Sequence, residues 1–348
     1  MNLLELIWLI SLILAGLSVL VMFGLIVRRV ISMWRDRLES AARDALTTLI
    51  LDYLEGTVTL DALRGAARGK NSRLMSDIVR DLLRLIRGDD RDRLIALLRE
   101  LGVVELHLSA LHRRNPHARM AAIAALSFFD EPRVINEVRA RLDDPDAAVR
   151  LAAAQALGEL RSVGSVRVLV DKLQIGTRET SRELYNVFRK LAPEETSQLI
   201  SLLHVDVPDL VKALALDALG KSGDYSAIDA VAGMVTDESE NVRAQALRAL
   251  AELAHPAAQP MVMRALTDPS WAVRAVAARC AGRIGLSEAI PLLEDLLDDD
   301  VWWVRQRAAE SLYELGDLGI KALTTISRKA SRASRVAQIV LAEKAIAA

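Results

Sequence analysis

The chain has 348 residues, with 45 Lys plus Arg against 46 Asp plus Glu for a net charge of −1, and 52% of its residues are hydrophobic although only 4% are aromatic. Balanced charge at 26% of positions excludes a disordered tail and a surface that is one basic footprint for nucleic acid. Cys280 stands alone, which excludes an intramolecular disulfide and a thiolate zinc site, and nine prolines in an Ala-, Leu- and Arg-rich remainder favour helix over sheet.

In chain order, the first element is apolar. Leu6 to Val27 is a run of 22 residues without a charge; at about 1.5 Å per residue it reaches roughly 33 Å, enough for a hydrocarbon core of about 30 Å. Residues 1–27 are therefore expected to form a transmembrane anchor. No Lys or Arg precedes the run and Arg28-Arg29 follow it directly, which fits an uncleaved span better than a signal peptide. Positive charges near the end of a span stay cytoplasmic. Here Arg28, Arg29, Arg35 and Arg37 follow the span against Asp36 alone, while Glu5 precedes it. The expectation is a single-pass protein with its N-terminus outside and all that follows residue 28 in the cytoplasm, with Trp8 and Trp34 as interfacial anchors. An excess of Arg over Lys, 37 to 8, fits a GC-rich bacterial genome, and so the cell inner membrane.

Residues 28–114 read as a helical neck and N-terminal cap with a net charge of +4. Apolar spacing places helices at Arg29–Leu54, Leu60–Arg68, Ser72–Arg87 and Arg91–Leu101. The arginines nearest the span are suited to anionic head groups. The stretch Gly65 to Asn71 resembles a phosphate-binding loop by eye. It has three residues between its glycines instead of four, and Asn71 stands where Ser or Thr should hold magnesium.

Residues 115–348 repeat with a period of 31. One column reads Arg119, Arg150, Ser181, Lys212, Arg243, Arg274 and Arg305. Three residues on stand Ala122, Ala153, Leu184, Ala215, Ala246, Ala277 and Ala308; seven on stand Leu126, Leu157, Phe188, Leu219, Leu250, Ala281 and Leu312. Six residues before the basic column come Asp144, Asp206, Asp237, Asp268 and Asp299. The pattern predicts helix pairs: Ala289 to Leu297 ends at an acidic turn, and a second helix runs from near Trp302 to Leu315. Short carboxylates suit that turn because they accept unpaired amides at a helix start, and each pair exposes an apolar face until the next covers it.

The pattern Asp-Pro-x-x-x-Val-Arg-x-x-Ala, in Asp144 to Ala153 and Asp268 to Ala277, resembles HEAT repeats of the short type also found in phycobilisome lyases. The resemblance covers about seven repeats and implies an all-α fold, an α-α superhelix, here preceded by one transmembrane helix. It also implies that Arg150, Arg243, Arg274 and Arg305 form a structural ladder with Asp144, Asp237, Asp268 and Asp299 between adjacent repeats. The repeat around Thr180 to Leu191 lacks the Asp, the Ala and the aligned Arg, so a bend or irregular turn is expected there.

No catalytic, cofactor or metal site is expected. His107, His112, His117, His204 and His255 form no His-Glu pair and no two are four residues apart, as iron-binding HEAT hydroxylases would need, and Cys280 falls in a small-residue core column. Arg248, Arg279, Arg283 and Arg307 lie on second helices, the feature a nucleic-acid-binding HEAT protein would use, but Glu252, Glu310 and Glu314 share those helices and break a phosphate track. A lyase-like enzyme is the other alternative, and a membrane anchor does not suit it. Three of the five tryptophans are Trp271, Trp302 and Trp303, with Trp271 and Trp302 one period apart at the turn edge, either covering the turn or anchoring a partner. The reading is a membrane-anchored scaffold or adaptor for another, membrane-associated protein, an accessory subunit of a bacterial envelope assembly. Trp271, Trp302, Trp303, Arg248, Arg279 and Arg283 are its candidate binding residues, and neither nucleic acid nor a small-molecule substrate is expected.

Overall fold

A computed structural model of the chain describes residues 22, 23, 29, 40–66, 71–83, 85–175, 182–329 and 331–347. Of the expected anchor only Met22 and Phe23 are among them. Trp8, Trp34, Arg28, Arg35 and Arg37 therefore lie outside the described residues, and so does Thr180. Among the described residues every regular element is helical, and no helix is long and apolar enough to cross a membrane. The chain divides into two compact units, Met1–Ser109 and Ala110–Ala348.

In the first unit, α1 spans residues 40–54, α2 Leu60–Ala66, α3 Asn71–Leu83 and α4 Asp89–Glu100. The apolar positions Leu46, Ile50, Leu63, Met75, Val79, Leu94 and Leu97 are buried. Arg43 pairs with Asp81 and Arg64 with Glu100, surface pairs of small net worth. Asp89, Asp90 and Asp92 fall in the first turn of α4, where the helix dipole favours negative charge. A further helix, α5 at Val103–Ala110, follows Gly102, whose φ of 69° separates it from α4. The apolar spacing ends the preceding helix at Leu101 and marks no element between it and Asn115.

The second unit is a series of helix pairs. Its second helices are α6 (Pro116–Leu126), α8 (Ala147–Glu159), the start of α10 (Arg182–Leu203), α11 (Asp209–Ser222), α13 (Glu240–Leu253), α15 (Trp271–Arg283) and α17 (Trp302–Glu314). Each of these packs on the next. Between them lie the shorter first helices α7 (Pro132–Ala140), α9 (Val166–Leu173), α12 (Ile228–Gly233), α14 (Gln259–Ala265) and α16 (Ile290–Leu296). Helices α18 (Asp317–Ser327) and α19 (Arg332–Ala347) close the series, with α19 packed on both α17 and α18. The column Leu126, Leu157, Phe188, Leu219, Leu250, Ala281 and Leu312 is 0% exposed throughout, the continuous core that stacked repeats share.

Five of the seven second helices stop where the backbone turns left-handed. Eleven residues after the basic column, Arg161, Gly223, Ala254, Gly285 and Gly316 all have positive φ, the usual helix stop. In the third repeat that position is Ala192, and α10 runs on through Pro193 before bending at Glu195 (φ −120°, ψ 26°), because proline costs the helix a donor and clashes one turn back. Among the described residues the break lies beyond Leu191, and the part of the expected stretch before Arg182 lies outside the described residues. Close approach sets the spacing of α11 and α13: a Cβ on Gly220 would stand 2.6 Å from Cα of Ala249.

Candidate functional site

Four of the five acidic turns are organised by their aspartate; the fifth, at Asp206, has Pro208 where the bonded amide would be. Asp144 accepts the amide of Asp146 (2.9 Å), Asp237 that of Ser239 (2.9 Å), Asp268 that of Ser270 (2.8 Å) and Asp299 that of Val301 (2.9 Å), Asx turns that open the second helix. The basic column then works in two directions. Backward, Nη1 of Arg243 donates to the carbonyls of Asp237 and Glu238, and Nη1 of Arg274 to those of Asp268 and Pro269. Forward, Nε and Nη2 grip both oxygens of the next aspartate: Arg243 holds Asp268 at 2.9 and 3.0 Å, and Arg274 holds Asp299 at 2.7 and 3.1 Å. Such bidentate charged pairs are strong.

The other rungs vary. Asp144 is held by Arg119 (2.7 Å), while Arg150 bonds the carbonyls of Asp144 and Pro145 and reaches forward to Gln174 (3.2 Å). Asp237 is held by Lys212 at 2.9 Å. Arg305 bonds the carbonyls of Asp299 and Asp300; its buried Nε has no hydrogen-bond partner among the described residues. Burial pushes the carboxyls of Asp144, Asp237 and Asp299 up. The hydrogen bonds and charges of Arg119, Lys212 and Arg274, with the turn amides, outweigh it and hold all three below the usual carboxylate range. The hydrogen bond to Asp268 raises Arg243 in turn.

Arg248, Arg279 and Arg283 come together in one cavity of about 360 Å³ on successive second helices, with Tyr185, Asp217 and Glu252. Its charges are mixed and mostly engaged. Asp217 is held by Arg189 and Lys221, Glu252 by Arg283 at 3.3 Å, and Arg248 bonds Gln245. Arg279 is exposed, with no ion-pair partner among the described residues. Cys280 also lines the cavity, but burial pushes its thiol up to about 12, so it holds no reactive thiolate at neutral pH. Among the described residues no group of three or more His, Cys, Asp and Glu is placed to hold a metal ion.

The tryptophans stand apart from that cavity. Trp271 opens α15, and Trp302 and Trp303 open α17, exposed to 47%, 47% and 53%. The ring that meets Trp302 is Trp303, 4.6 Å away and nearly edge-on. Trp271, one repeat earlier, has no ring partner among the described residues. Trp302 instead lines a second cleft, of about 780 Å³, with Arg305, Lys329, Arg332, Arg335 and Ile339. That cleft was missed in the sequence because its far wall lies outside the repeating columns.

The family model described as HEAT repeats matches residues 104–184, 196–268 and 231–313. None of the curated proteins matches the chain. Among solved structures, a Kap121p mutant superposes with a TM-score of 0.51 at 14% identity, over 86% of this chain and 39% of its own, so this chain spans about two fifths of that protein. An engineered protein is 20% identical over 87% of this chain and 94% of its own, with a TM-score of 0.36. Importin beta is 13% identical over 87% and 52%, with a TM-score of 0.43. The likeness to the Kap121p mutant is one of fold.

Proposed function

Because this chain belongs to the HEAT-repeat family, whose solenoid presents one edge of helix starts and one face of second helices, we propose that it is a scaffold or adaptor that binds a partner protein through the repeats. In this reading residues 6–27 tether it to a bacterial inner membrane with the repeats in the cytoplasm, the partner belongs to an envelope assembly, and the chain itself catalyses nothing. The observation that carries it is the edge formed by Trp271, Trp302 and Trp303, which leaves three large indoles about half exposed. Tryptophan is among the residues most enriched at the centres of protein interfaces. The carboxylates of Asp217 and Glu252 among the arginines of the second-helix cavity count against a nucleic-acid track.

The test is affinity capture with the detergent-solubilised full chain and identification of the protein recovered. Trp302→Ala should weaken that capture by about 2 kcal/mol, the scale of an interface hot spot, with little change in helicity or melting. If melting collapses while the folded fraction still captures its partner normally, the indoles are structural and the reading loses its support.

A further inference from the structure

The ladder presents one fork without an acceptor. Arg243 and Arg274 fix their guanidinium through two backward carbonyl bonds and offer Nε and Nη2 to the aspartate 25 residues on. Arg305 makes the same two backward bonds, at 2.7 and 3.0 Å, so its fork is posed as theirs are. Twenty-five positions on, the sequence has Ala330, which carries no carboxylate. The buried Nε has no partner among the described residues, as is also true of Arg119 and Arg150; but Arg119 gives Nη2 to Asp144 and Arg150 gives Nη2 to Gln174, whereas Arg305 makes no forward bond to any described residue.

Arg305 lines the cleft it shares with Trp302, Lys329, Arg332 and Arg335. Among the described residues no carboxylate lines this cleft. Arg332 reaches the fully exposed Asp300 at 3.4 Å, while Lys329 and Arg335 are exposed and have no ion-pair partner among the described residues. A pre-posed fork, two further free cations and an exposed indole thus converge on one opening.

We propose that this cleft binds an acidic segment of a partner protein, one of whose carboxylates enters the Arg305 fork and completes the ladder in trans while Trp302 packs along the segment. The proposal rests on the protein-binding reading above and adds the chemistry of the partner. Two rungs of this same chain hold a carboxylate in that geometry, which favours carboxylate over phosphate. A second copy stacked end to end would not supply it. The position six residues before Arg119, where the first repeat would carry the acceptor, is Arg113, and it would meet the cleft with like charge.

The experiment uses the full chain in neutral detergent and a fluorescein-labelled peptide of three aspartates in a Gly-Ser background, followed by anisotropy. The aspartate peptide should bind saturably and at least about tenfold tighter than its asparagine counterpart, the scale set by hydrogen bonds to charged groups. Arg305→Gln should abolish that difference. Because this variant also loses the carbonyl bonds, Arg335→Gln, at an exposed position outside the ladder, is measured beside it and should weaken binding about threefold to tenfold with an unchanged melting curve. Equal binding of the asparagine peptide, indifference to Arg335→Gln, or displacement by inorganic phosphate beyond that by chloride of equal ionic strength would overturn the proposal. Should both arginine variants still recover the co-purifying protein while Trp302→Ala loses it, the scaffold reading stands and the acidic cleft falls. Should the aspartate peptide bind as described while no protein co-purifies with the unaltered chain, the cleft's chemistry stands and the scaffold reading falls.

Discussion

Two sets of bonds converge on each full ladder arginine. The carbonyl bonds close the turn within a repeat, and the carboxylate bonds tie that repeat to the next. Arg243→Ala removes both sets from a side chain only 14% exposed and should cost about 1.5 to 3 kcal/mol, read as a lower melting temperature. Arg243→Lys should recover only part, since the native Lys212–Asp237 rung makes a single bond. The carboxyls of Asp144, Asp237 and Asp299 are held below their ordinary range, so the unfolded chain takes up protons first as pH falls. Their contribution is complete above the unfolded value of about 3.9 and disappears as pH drops through the lower folded values. Melting temperature should therefore stay level down to about pH 5 and fall below about pH 4, less steeply in Asp299→Asn. An equally steep fall in that variant would remove Asp299 from the account. At this scale the two columns were legible in the sequence, but the pairing was not. A carboxylate six residues before one arginine is also 25 after the previous one, and a period of 31 cannot separate these. The fold decides it: Asp144 gives its carboxylate to Arg119 and its carbonyl to Arg150.

Among elements, the tightest constraint is steric. Gly220 lets α11 rest against the backbone of α13, and Gly220→Val would force side-chain atoms into Ala249. It should destabilise the second unit by about 1 to 3 kcal/mol, as overpacking does, whereas Gly233→Ala, with nothing within 4 Å of its new Cβ, should leave melting unchanged or slightly raised. Equal losses in both would show that loss of glycine itself, not contact, sets the cost. The elements that repeat were readable because each column buries one face. Helix α5 and the fused α10 escaped for local reasons. The first depends on a single left-handed residue, Gly102, and the second on the absence of such a residue at Ala192, so that the chain passes through Pro193 without a turn.

At the scale of the molecule, the solenoid followed from periodicity alone, whereas the cleft beside Arg305 needed α19 folded back on α17, a placement no period encodes. The tether proposed for residues 6–27 makes a separate prediction: a C-terminal alkaline phosphatase fusion should be inactive and a fluorescent protein fusion bright, and the reverse would put the repeats outside. The uneven ladder also has a mechanical consequence. From Lys212 to Asp299 every arginine or lysine of the column grips the next aspartate, but between Asp144 and Lys212 the forward bond from Arg150 ends on the neutral Gln174 and α10 bends at Glu195. A stack of nearest-neighbour units yields first at its weakest junction. Stretched between its ends in an optical trap, the second unit should lengthen first through its third repeat, in a low-force step before the stiffer block from α11 to α17 gives way. Substituting Gln174→Glu should raise the force of that first step and leave the second where it was; a single step in both proteins would mean that the compliance is uniform.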